Sequence, residues 1–463
     1  MIIRGAQAVM TGLPGKEARA GRADVRMRDG RIVAVGELAV EPGEEVIDAS
    51  GCVVYPAWVN THHHLFQTVM KGIPDGINHA LREWLVSIPS TYRGGLDAEA
   101  LRISARLGIV ELMLSGCATI FDHHYHYHPD MAYDGAAILF EEAERFGIRY
   151  LLGRGGVTLK PPGFATGTPF WMQPETLDAI VGDVERLARR YHDPDPFSFR
   201  RVVMAPRTPT YGVRSGELRE LARAARRLGL RLHSHLSENL DYITYCREHF
   251  GLRPVEYCAE QEFLGADVWF AHLCHVTDAE IAMMASAGTG IAHCPGSNCR
   301  LGSGIAPVPR MQAAGMPVSI GVDGAGSNET GDFLSEAHLA WYVHRAAKGA
   351  SGAPDGGADA VTVEQVIHWG TAGGARVLGL KTGVVAPGYA ADLAVYELSE
   401  PRHFGMHDAA IAPVASGGRP RLRRLICGGR TIVQDDRIPG IDLAELGARA
   451  REVVKKLGAV SCS

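Results

Sequence analysis

The sequence predicts an α/β protein in which strands and helices alternate to close a (β/α)8 barrel, with a small β-sandwich built from both chain ends. Two observations predict the barrel. Short apolar runs alternate with longer helical patterns, and polar residues follow nearly every apolar run. A third observation, short alternating strands with tight-turn signals at both ends, predicts the sandwich. A doubly wound sheet would gather its polar residues at one crevice instead, so the barrel is favoured.

The two chain ends carry the same hairpin pattern. "ADVRMRDGRIVAVG" alternates around Asp29-Gly30, which is typical of a two-residue turn. Near the other end, "GYAADLAVYEL" and "RLRRLICGGRTIVQDD" alternate in the same way, with Gly428-Gly429 at a turn. We therefore expect residues 1–55 and 385–440 to form one discontinuous β-sandwich.

The central part of the chain, residues 56–384, contains the repeated strand and helix units. Examples are "LRISARLGIVELMLSG" before "CATIFDHH" and "LRELARAARRLG" before "LRLHSHLSEN", where each helical pattern ends at a glycine. The pattern "DLAELGARAREVVKKLG" predicts a closing C-terminal helix within residues 441–463. Functional side chains of such a barrel lie at the C-terminal ends of its strands.

Composition limits the possible partners and compartments. The chain has 463 residues, of which 46% are hydrophobic and 21% charged, and its net charge is −5, which argues against a nucleic-acid partner. It contains no apolar run near 20 residues, and "MIIRGAQAVMTG" lacks the apolar centre of a signal peptide. Nine cysteines without CxxC pairing favour reduced thiols. We expect a cytoplasmic protein without membrane contact, and a homo-oligomer is possible.

The stretch "NTHHHL" follows the apolar run "CVVYPAWV" and is the first candidate for a metal site. Side chains at i and i+2 of a strand share a face, so His62 and His64 can both point into the barrel mouth while His63 points away. Two such imidazoles are half of a zinc site. The alternative is a hydrated cluster of loop histidines.

A second polar cluster lies in "LRLHSHLSEN", where His233 and His235 share a face and Glu238 follows. His235 supplies a third imidazole. Glu238 is more useful as an acid or base than as a ligand, because a catalytic zinc keeps one position open for water. The alternative for Glu238 is that it caps the next helix.

Two later strand ends carry the remaining candidates. His272 ends the apolar strand of "VWFAHLCHV", where a neutral imidazole can hold a hydroxide or polarise a substrate oxygen. Asp323 follows the apolar run of "PVSIGVDG", where a carboxylate is costly unless it meets a cation or a hydrogen-bond donor. The alternatives are a satisfied strand-end histidine and a turn aspartate.

Taken in order, HxH, H-x-x-E, a strand-end His and an Asp resemble the amidohydrolase superfamily in its mononuclear branch. That branch includes cytosine, guanine, 8-oxoguanine and isoxanthopterin deaminases and the s-triazine hydrolases. The resemblance covers nearly the whole chain, including "HCPGSNCRLGSGIAPV" and "GVDGAGSNE". It implies that Glu238 is the proton shuttle and that His272 orients the attacking water or the developing oxyanion. It also implies one divalent metal ion, zinc before iron, held by His62, His64, His235 and Asp323.

Four further residues are candidates for substrate binding. Gln67 lies where a glutamine of the guanine-deaminase branch reads a ring edge, and Trp84 resembles a tryptophan that would stack on a flat heterocycle. Arg154 in "LLGRGGV" and Arg207 in "MAPRTP" follow strands and can donate to ring oxygens, although one of them could be a structural ion pair. For Gln67 and Trp84 the alternatives are a polar helix start and ordinary helix packing.

The resemblance implies a metal-dependent hydrolytic deaminase that releases ammonia from a small fused amino-oxo heterocycle. Isoxanthopterin or a related pterin is the first substrate expected, and 8-oxoguanine or guanine is the second. An s-triazine chlorohydrolase or aminohydrolase would use the same metal, but the intact Glu238 favours loss of an amine. A non-catalytic metal-binding protein would leave Glu238 and His272 unexplained.

Overall fold

The computed structural model describes residues 1–128, 131–160 and 173–460. The chain begins with short strands that lie outside the barrel. These are β1 (Ile2–Arg4), β2 (Ala8–Met10), β3 (Arg19–Gly21), β4 (Asp24–Arg28), β5 (Arg31–Gly36), β6 (Val46–Asp48) and β7 (Cys52–Pro56). Asp29 and Gly30 join β4 to β5 with φ angles of 51° and 74°. Two positive φ angles are typical of a type I′ turn, so the predicted hairpin is confirmed.

The next strands form a parallel sheet in sequential order, β8 to β15. They are β8 (Trp58–Asn60), β9 (Cys117–His124), β10 (Arg149–Arg154), β11 (Arg200–Met204), β12 (Arg231–Leu236), β13 (Val268–His272), β14 (Gly290–His293) and β15 (Val318–Ile320). The Thr61 N–H donates to the Ile320 carbonyl at 3.1 Å, and the Asp323 N–H donates to the His62 carbonyl at 3.0 Å. These bonds join the first and last strands, so the predicted barrel is confirmed.

Helices connect the strands and cover the barrel. They are α1 (Leu81–Leu85), α2 (Ala98–Leu114), α3 (Gly135–Phe146), α4 (Leu177–Tyr191), α5 (Glu217–Arg227), α6 (Leu240–Phe250), α7 (Pro254–Glu260), α8 (Asp278–Ala287), α9 (Pro295–Arg300), α10 (Val308–Ala313), α11 (Ala325–Asn328), α12 (Phe333–Ala350), α13 (Val363–His368), α14 (Gly374–Leu378), α15 (Ala412–Ala415) and α16 (Leu443–Val460). Left-handed glycines end α3, α6, α8 and α14, as the sequence pattern predicts for helix C-termini.

The last helix, α16, corresponds to the helix predicted within residues 441–463, of which the final three lie outside the described residues. It packs against α2 through ion pairs from Arg449 to Glu99 and from Lys456 to Asp97. Among the residues that the structure describes, no helix is long and apolar enough to cross a bilayer.

Both chain ends contribute strands to one sheet beside the barrel. The C-terminal strands β16 (Leu393–Glu397), β17 (Arg421–Cys427) and β18 (Arg430–Gln434) join a six-stranded sheet in the order β18-β17-β16-β7-β2-β3. A second sheet, β5-β4-β1-β6, comes from the N-terminal end alone. The sequence therefore identified the elements of a sandwich, while the boundaries proposed at residues 55, 385 and 440 stay predictions.

A buried ion pair fastens the barrel to the six-stranded sheet. Arg149, at the start of β10, donates from Nε and Nη2 to the two carboxylate oxygens of Asp392 at 2.6 and 3.1 Å. The Thr382 hydroxyl also donates to this carboxylate, at 2.5 Å. Because Arg149 begins its strand, the joint lies at the N-terminal end of the barrel, opposite the polar strand ends where a barrel carries its functional groups.

Candidate active site

Four side chains from three separated parts of the barrel converge at the C-terminal ends of its strands. His62 and His64 follow β8, His235 lies in β12, and Asp323 follows β15. The Oδ1 atom of Asp323 lies 3.2 Å from His62 Nε2 and 3.1 Å from His64 Nε2. His64 Nε2 lies 3.2 Å from His235 Nε2, and one ligand atom from each of the four residues lies within 4.8 Å of all the others.

Backbone carbonyls fix how two of these imidazoles are turned. His64 Nδ1 lies 2.7 Å from the His123 carbonyl, and His235 Nδ1 lies 2.6 Å from the Arg207 carbonyl. A carbonyl oxygen only accepts, so each Nδ1 carries the proton and the neutral ring presents a lone pair at Nε2. His62 is turned the same way, with its Nδ1 2.8 Å from His233 Nε2.

The converging atoms fit a divalent metal ion. Three imidazole lone pairs and a carboxylate oxygen face one another without a hydrogen between them, and such buried acceptors need a cation. A tetrahedral zinc with ligand bonds near 2.0–2.1 Å separates its ligand atoms by about 3.3 Å, which is close to the spacing found here. This donor set suits zinc and iron alike.

The loop that carries Asp323 adopts an unusual backbone. Asp323 has a φ angle of 58° and His272, across the chamber, has one of 77°, both in the left-handed region that side chains with a Cβ rarely occupy. Gly321 lets the loop pass beside the first ligand, because a Cβ at that position would lie 2.6 Å from the His62 Cβ. Such conformations concentrate at functional sites.

A carboxyl and a neutral imidazole lie beside the cluster. Glu238 is buried, and its Oε2 lies 3.7 Å from His272 Nε2, while His272 Nδ1 lies 3.0 Å from the amide oxygen of Asn298. Burial, together with the charge of Asp323, raises the pKa of Glu238 well above its usual range. Burial lowers the pKa of His272. Both shifts favour the uncharged form, which is the protonated carboxyl of Glu238 and the neutral ring of His272.

His63 points away from the cluster, as strand parity predicts. Its Nδ1 donates to the backbone carbonyl of Asp323, and the side chain is fully buried. The alternative of a hydrated histidine loop is therefore wrong, because all three histidines are buried.

Two adjoining cavities lie at the cluster, and they share lining residues. The inner chamber has a volume of about 40 Å³ and is lined by His64, His235, Glu238, His272 and Asp323 together with Trp84 and Tyr125. The outer cavity has a volume of about 290 Å³ and shares Leu81, Leu85, Tyr125, Arg207 and Tyr211 with the inner one. Aromatic walls around a polar floor suit a flat heterocycle that enters from the outer cavity.

The two arginines predicted for substrate binding have different surroundings. Arg207 lines both cavities, and its guanidinium has no hydrogen bond or ion pair to any residue that the structure describes. Arg154 donates to Glu175 at 2.6 Å and to Asp183 at 2.9 Å, and it does not line either cavity. The substrate role considered for Arg154 is thus unsupported, because two carboxylates already hold its donors in a structural ion pair.

The other two predicted substrate residues also differ. Trp84 lines the inner chamber, and its indole N–H donates to the Gly326 carbonyl at 2.9 Å. Gln67 is fully buried behind the chamber wall, where its amide nitrogen donates to the Tyr125 hydroxyl at 2.8 Å. Its direct contact with substrate therefore stays a prediction, and Tyr125 is the side chain that reaches the chamber.

Sequence reasoning missed Tyr125, Asn298 and the supporting contact of His233. Tyr125 belongs to the run "FDHHYHYHP" immediately after β9, so its place beyond a strand end was a signal for it. Asn298 lies in α9, in the stretch "HCPGSNCRL", and only the folded chain brings it to His272.

Comparisons with known proteins agree with this geometry. The Amidohydrolase family profile matches residues 53–432. The chain is 52% identical over 467 residues to an isoxanthopterin deaminase from an unknown prokaryotic organism, covering 98% of this chain and 97% of that protein. It is 37% identical over 437 residues to the 8-oxoguanine deaminase of Pseudomonas aeruginosa, covering 93% and 94%.

Two solved structures share the architecture over almost the full length. An amidohydrolase from an environmental sample of the Sargasso Sea superposes with a TM-score of 0.87 at 49% identity, covering 100% of this chain and 99% of that one. An atrazine chlorohydrolase from Arthrobacter aurescens TC1, complexed with zinc, superposes with a TM-score of 0.90 at 28% identity, covering 98% and 99%.

Proposed function

Because this chain belongs to the amidohydrolase family, we propose that it is a metal-dependent hydrolytic deaminase of a fused amino-oxo heterocycle, with isoxanthopterin or a related pterin as substrate. The observation that carries the proposal is the buried carboxyl of Glu238, whose pKa is raised, in the chamber that His64, His235 and Asp323 of the metal cluster also line. A binding protein would not need a proton donor beside its metal.

The metal is assigned to His62, His64, His235 and Asp323, with zinc preferred because the related chlorohydrolase was solved with zinc. When bound, a metal of this kind supplies a water whose pKa is lowered to roughly 7. The second carboxylate oxygen of Asp323 accepts from the Ser327 hydroxyl at 3.0 Å, which orients Oδ1 toward the cluster. Asp323 is thereby placed to accept the proton of the attacking water.

The remaining steps belong to Glu238 and His272. Water adds to the ring carbon that bears the exocyclic amine and gives one proton to Asp323, while Glu238 protonates the adjacent ring nitrogen. The proton on Asp323 then passes to the amine, the carbon–nitrogen bond breaks and ammonia leaves. The new hydroxyl returns its proton to Glu238 as it becomes the carbonyl oxygen. His272, held through Asn298, presents its Nε2 lone pair to the reacting face and orients the water. Positioned proton transfer of this kind contributes roughly 10²- to 10⁴-fold to rate.

Substrate recognition is assigned to the aromatic walls and to Arg207. Trp84 and Tyr125 line the chamber. The guanidinium of Arg207, which has no partner among the described residues, lines both cavities and is suited to a ring oxygen. The 52% identity to an isoxanthopterin deaminase favours a pterin. The 37% identity to an 8-oxoguanine deaminase makes that oxidised purine the second candidate. The cytoplasmic location, the homo-oligomer and the absence of nucleic-acid and membrane partners stay predictions.

The proposal is tested by ammonia release from the purified, zinc-loaded protein. The compounds are isoxanthopterin, pterin-6-carboxylate, 8-oxoguanine, guanine, cytosine and a chloro-s-triazine. We expect the highest kcat/KM for isoxanthopterin. Activity on 8-oxoguanine alone would replace the pterin with the purine, and chloride release from the triazine alone would replace deamination with dechlorination. A fully metal-loaded protein that releases ammonia from none of these compounds would overturn the proposal.

A further inference from the structure

The three imidazoles assigned to the metal are not supported in the same way. His64 and His235 donate from Nδ1 to backbone carbonyls, those of His123 and Arg207. His62 instead has its Nδ1 2.8 Å from a side-chain atom, Nε2 of His233. Among the described residues, His62 is thus the one imidazole of this metal cluster whose support can be removed by substituting a side chain.

A backbone carbonyl on the other side of His233 determines which of the two rings, His62 or His233, donates the hydrogen bond between them. His233 is fully buried in β12, and its Nδ1 lies 3.0 Å from the Trp269 carbonyl. Since that carbonyl can only accept, His233 carries its proton on Nδ1, and in the neutral ring Nε2 is an acceptor. His62 must then donate from Nδ1, which leaves its Nε2 lone pair facing Asp323 at 3.2 Å.

The proton on His62 Nδ1 also explains why a second group of converging histidines need not be a second metal site. Ligand atoms of His62, His123 and His233 also lie within 4.8 Å of one another, which resembles a second metal site. His123 donates from Nε2 to the Ala205 carbonyl at 2.7 Å and leaves Nδ1 as an acceptor. Because a hydrogen already occupies the contact between His62 and His233, a second cation would have to displace it. The geometry therefore favours one metal ion per chain.

We propose that His233 is a positioning residue that accepts the Nδ1 proton of His62 and thereby fixes the ring of His62 as a metal ligand. It acts through His62 and touches neither metal nor substrate. Partners of this kind change metal affinity by roughly 10- to 100-fold. The proposal rests on the metal site assigned above and is independent of which heterocycle is the substrate.

A pair of amide substitutions separates this role from simple packing. In His233→Gln the amide oxygen reaches the place of Nε2 and keeps an acceptor for His62. In His233→Asn the shorter amide takes the place of Nδ1, keeps the contact with Trp269 and removes the acceptor. His344→Asn is the control, because His344 is buried and its Nε2 lies 3.1 Å from His293 Nε2 in a second histidine pair outside the metal cluster.

Zinc affinity is measured by competition with a chromogenic chelator, zinc stoichiometry by elemental analysis, and folding of the metal-free protein by thermal unfolding. We expect one zinc per wild-type chain, zinc binding 10- to 100-fold weaker in His233→Asn, and affinity within about threefold of wild type in His233→Gln and His344→Asn. Equal zinc affinity of the two His233 variants would overturn the positioning role, as would a second zinc in wild type. Wild-type protein that binds no zinc or iron would instead refute the metal site itself.

Discussion

Replacing Glu238 with glutamine tests the central step of the proposed reaction. The amide keeps the size of the side chain and can still form hydrogen bonds, but it cannot give up a proton to the substrate. We expect Glu238→Gln to bind metal as wild type does, because Glu238 is not among the four converging ligand residues. The variant should keep the KM of wild type within about threefold and lose most of kcat.

The size of the loss follows from the chamber around Glu238. General acid–base catalysis contributes roughly 10²- to 10⁴-fold, or about 3 to 5 kcal/mol. The Glu238 carboxyl is buried in the inner chamber, and a heterocycle bound there would cover it and exclude water from it. Since water then cannot replace the missing donor, we expect the upper part of the range, a fall in kcat of roughly 10³- to 10⁴-fold.

The assay is steady-state ammonia release with metal content measured on the same preparation. Glu248→Gln is the matched control, because it makes the same chemical change at an exposed carboxylate of the outer cavity. It should keep kcat within about twofold. A metal-loaded Glu238→Gln variant whose kcat stays within tenfold of wild type would refute the assignment of Glu238. Loss of metal would instead identify Glu238 as a ligand.

Other substitutions separate binding from stability. Arg207→Met should lower kcat/KM roughly 10- to 100-fold without changing Tm, because the guanidinium has no partner among the described residues; unchanged kinetics would exclude it as a substrate group. Arg154→Met should lower the free energy of unfolding by about 3 to 5 kcal/mol in urea titrations and leave the kinetics of the folded enzyme near wild type. Tyr125→Phe should raise KM by roughly 3- to 10-fold in the ammonia assay, since it removes the hydroxyl that accepts from Gln67 and holds this chamber-lining ring in place. Asp392→Asn should destabilise the protein by about 3 kcal/mol without changing kcat, because it weakens a buried pair far from the chamber; equal stability in thermal unfolding would contradict this.

The barrel was predictable because its signals are local. Each strand or helix shows its own periodicity over a few residues, and the turns at Asp29-Gly30 and Gly428-Gly429 need particular φ angles that their residues supply. The alternation of side chains along a strand also predicts that His62 and His64 point inward together. These inferences need no knowledge of what lies across the fold.

Other features depend on residues that are distant in sequence. Arg154 is the last residue of β10 and Arg207 follows β11 closely. The difference between them is that Glu175 and Asp183, 21 and 29 residues later in the chain, lie beside Arg154. Strand parity also predicts that His233 and His235 both face the barrel interior. It does not predict that they lie at different depths. His235 reaches the metal cluster, and His233 lies beneath it, where only the neighbouring strand supplies the Trp269 carbonyl.

The six-stranded sheet contains strands from both chain ends, so it cannot form until the C-terminal strands have left the ribosome. β7 leads directly into the first barrel strand, yet its neighbour β16 lies more than 300 residues later. Until those residues emerge, β7 has an open edge on the β16 side, and Arg149 lacks the carboxylate that neutralises it. Such unpaired edges and buried lone charges favour aggregation of nascent chains. We therefore expect chains truncated before Asp392 to depend on chaperones for solubility, even though every residue assigned to the metal and to proton transfer has already been made.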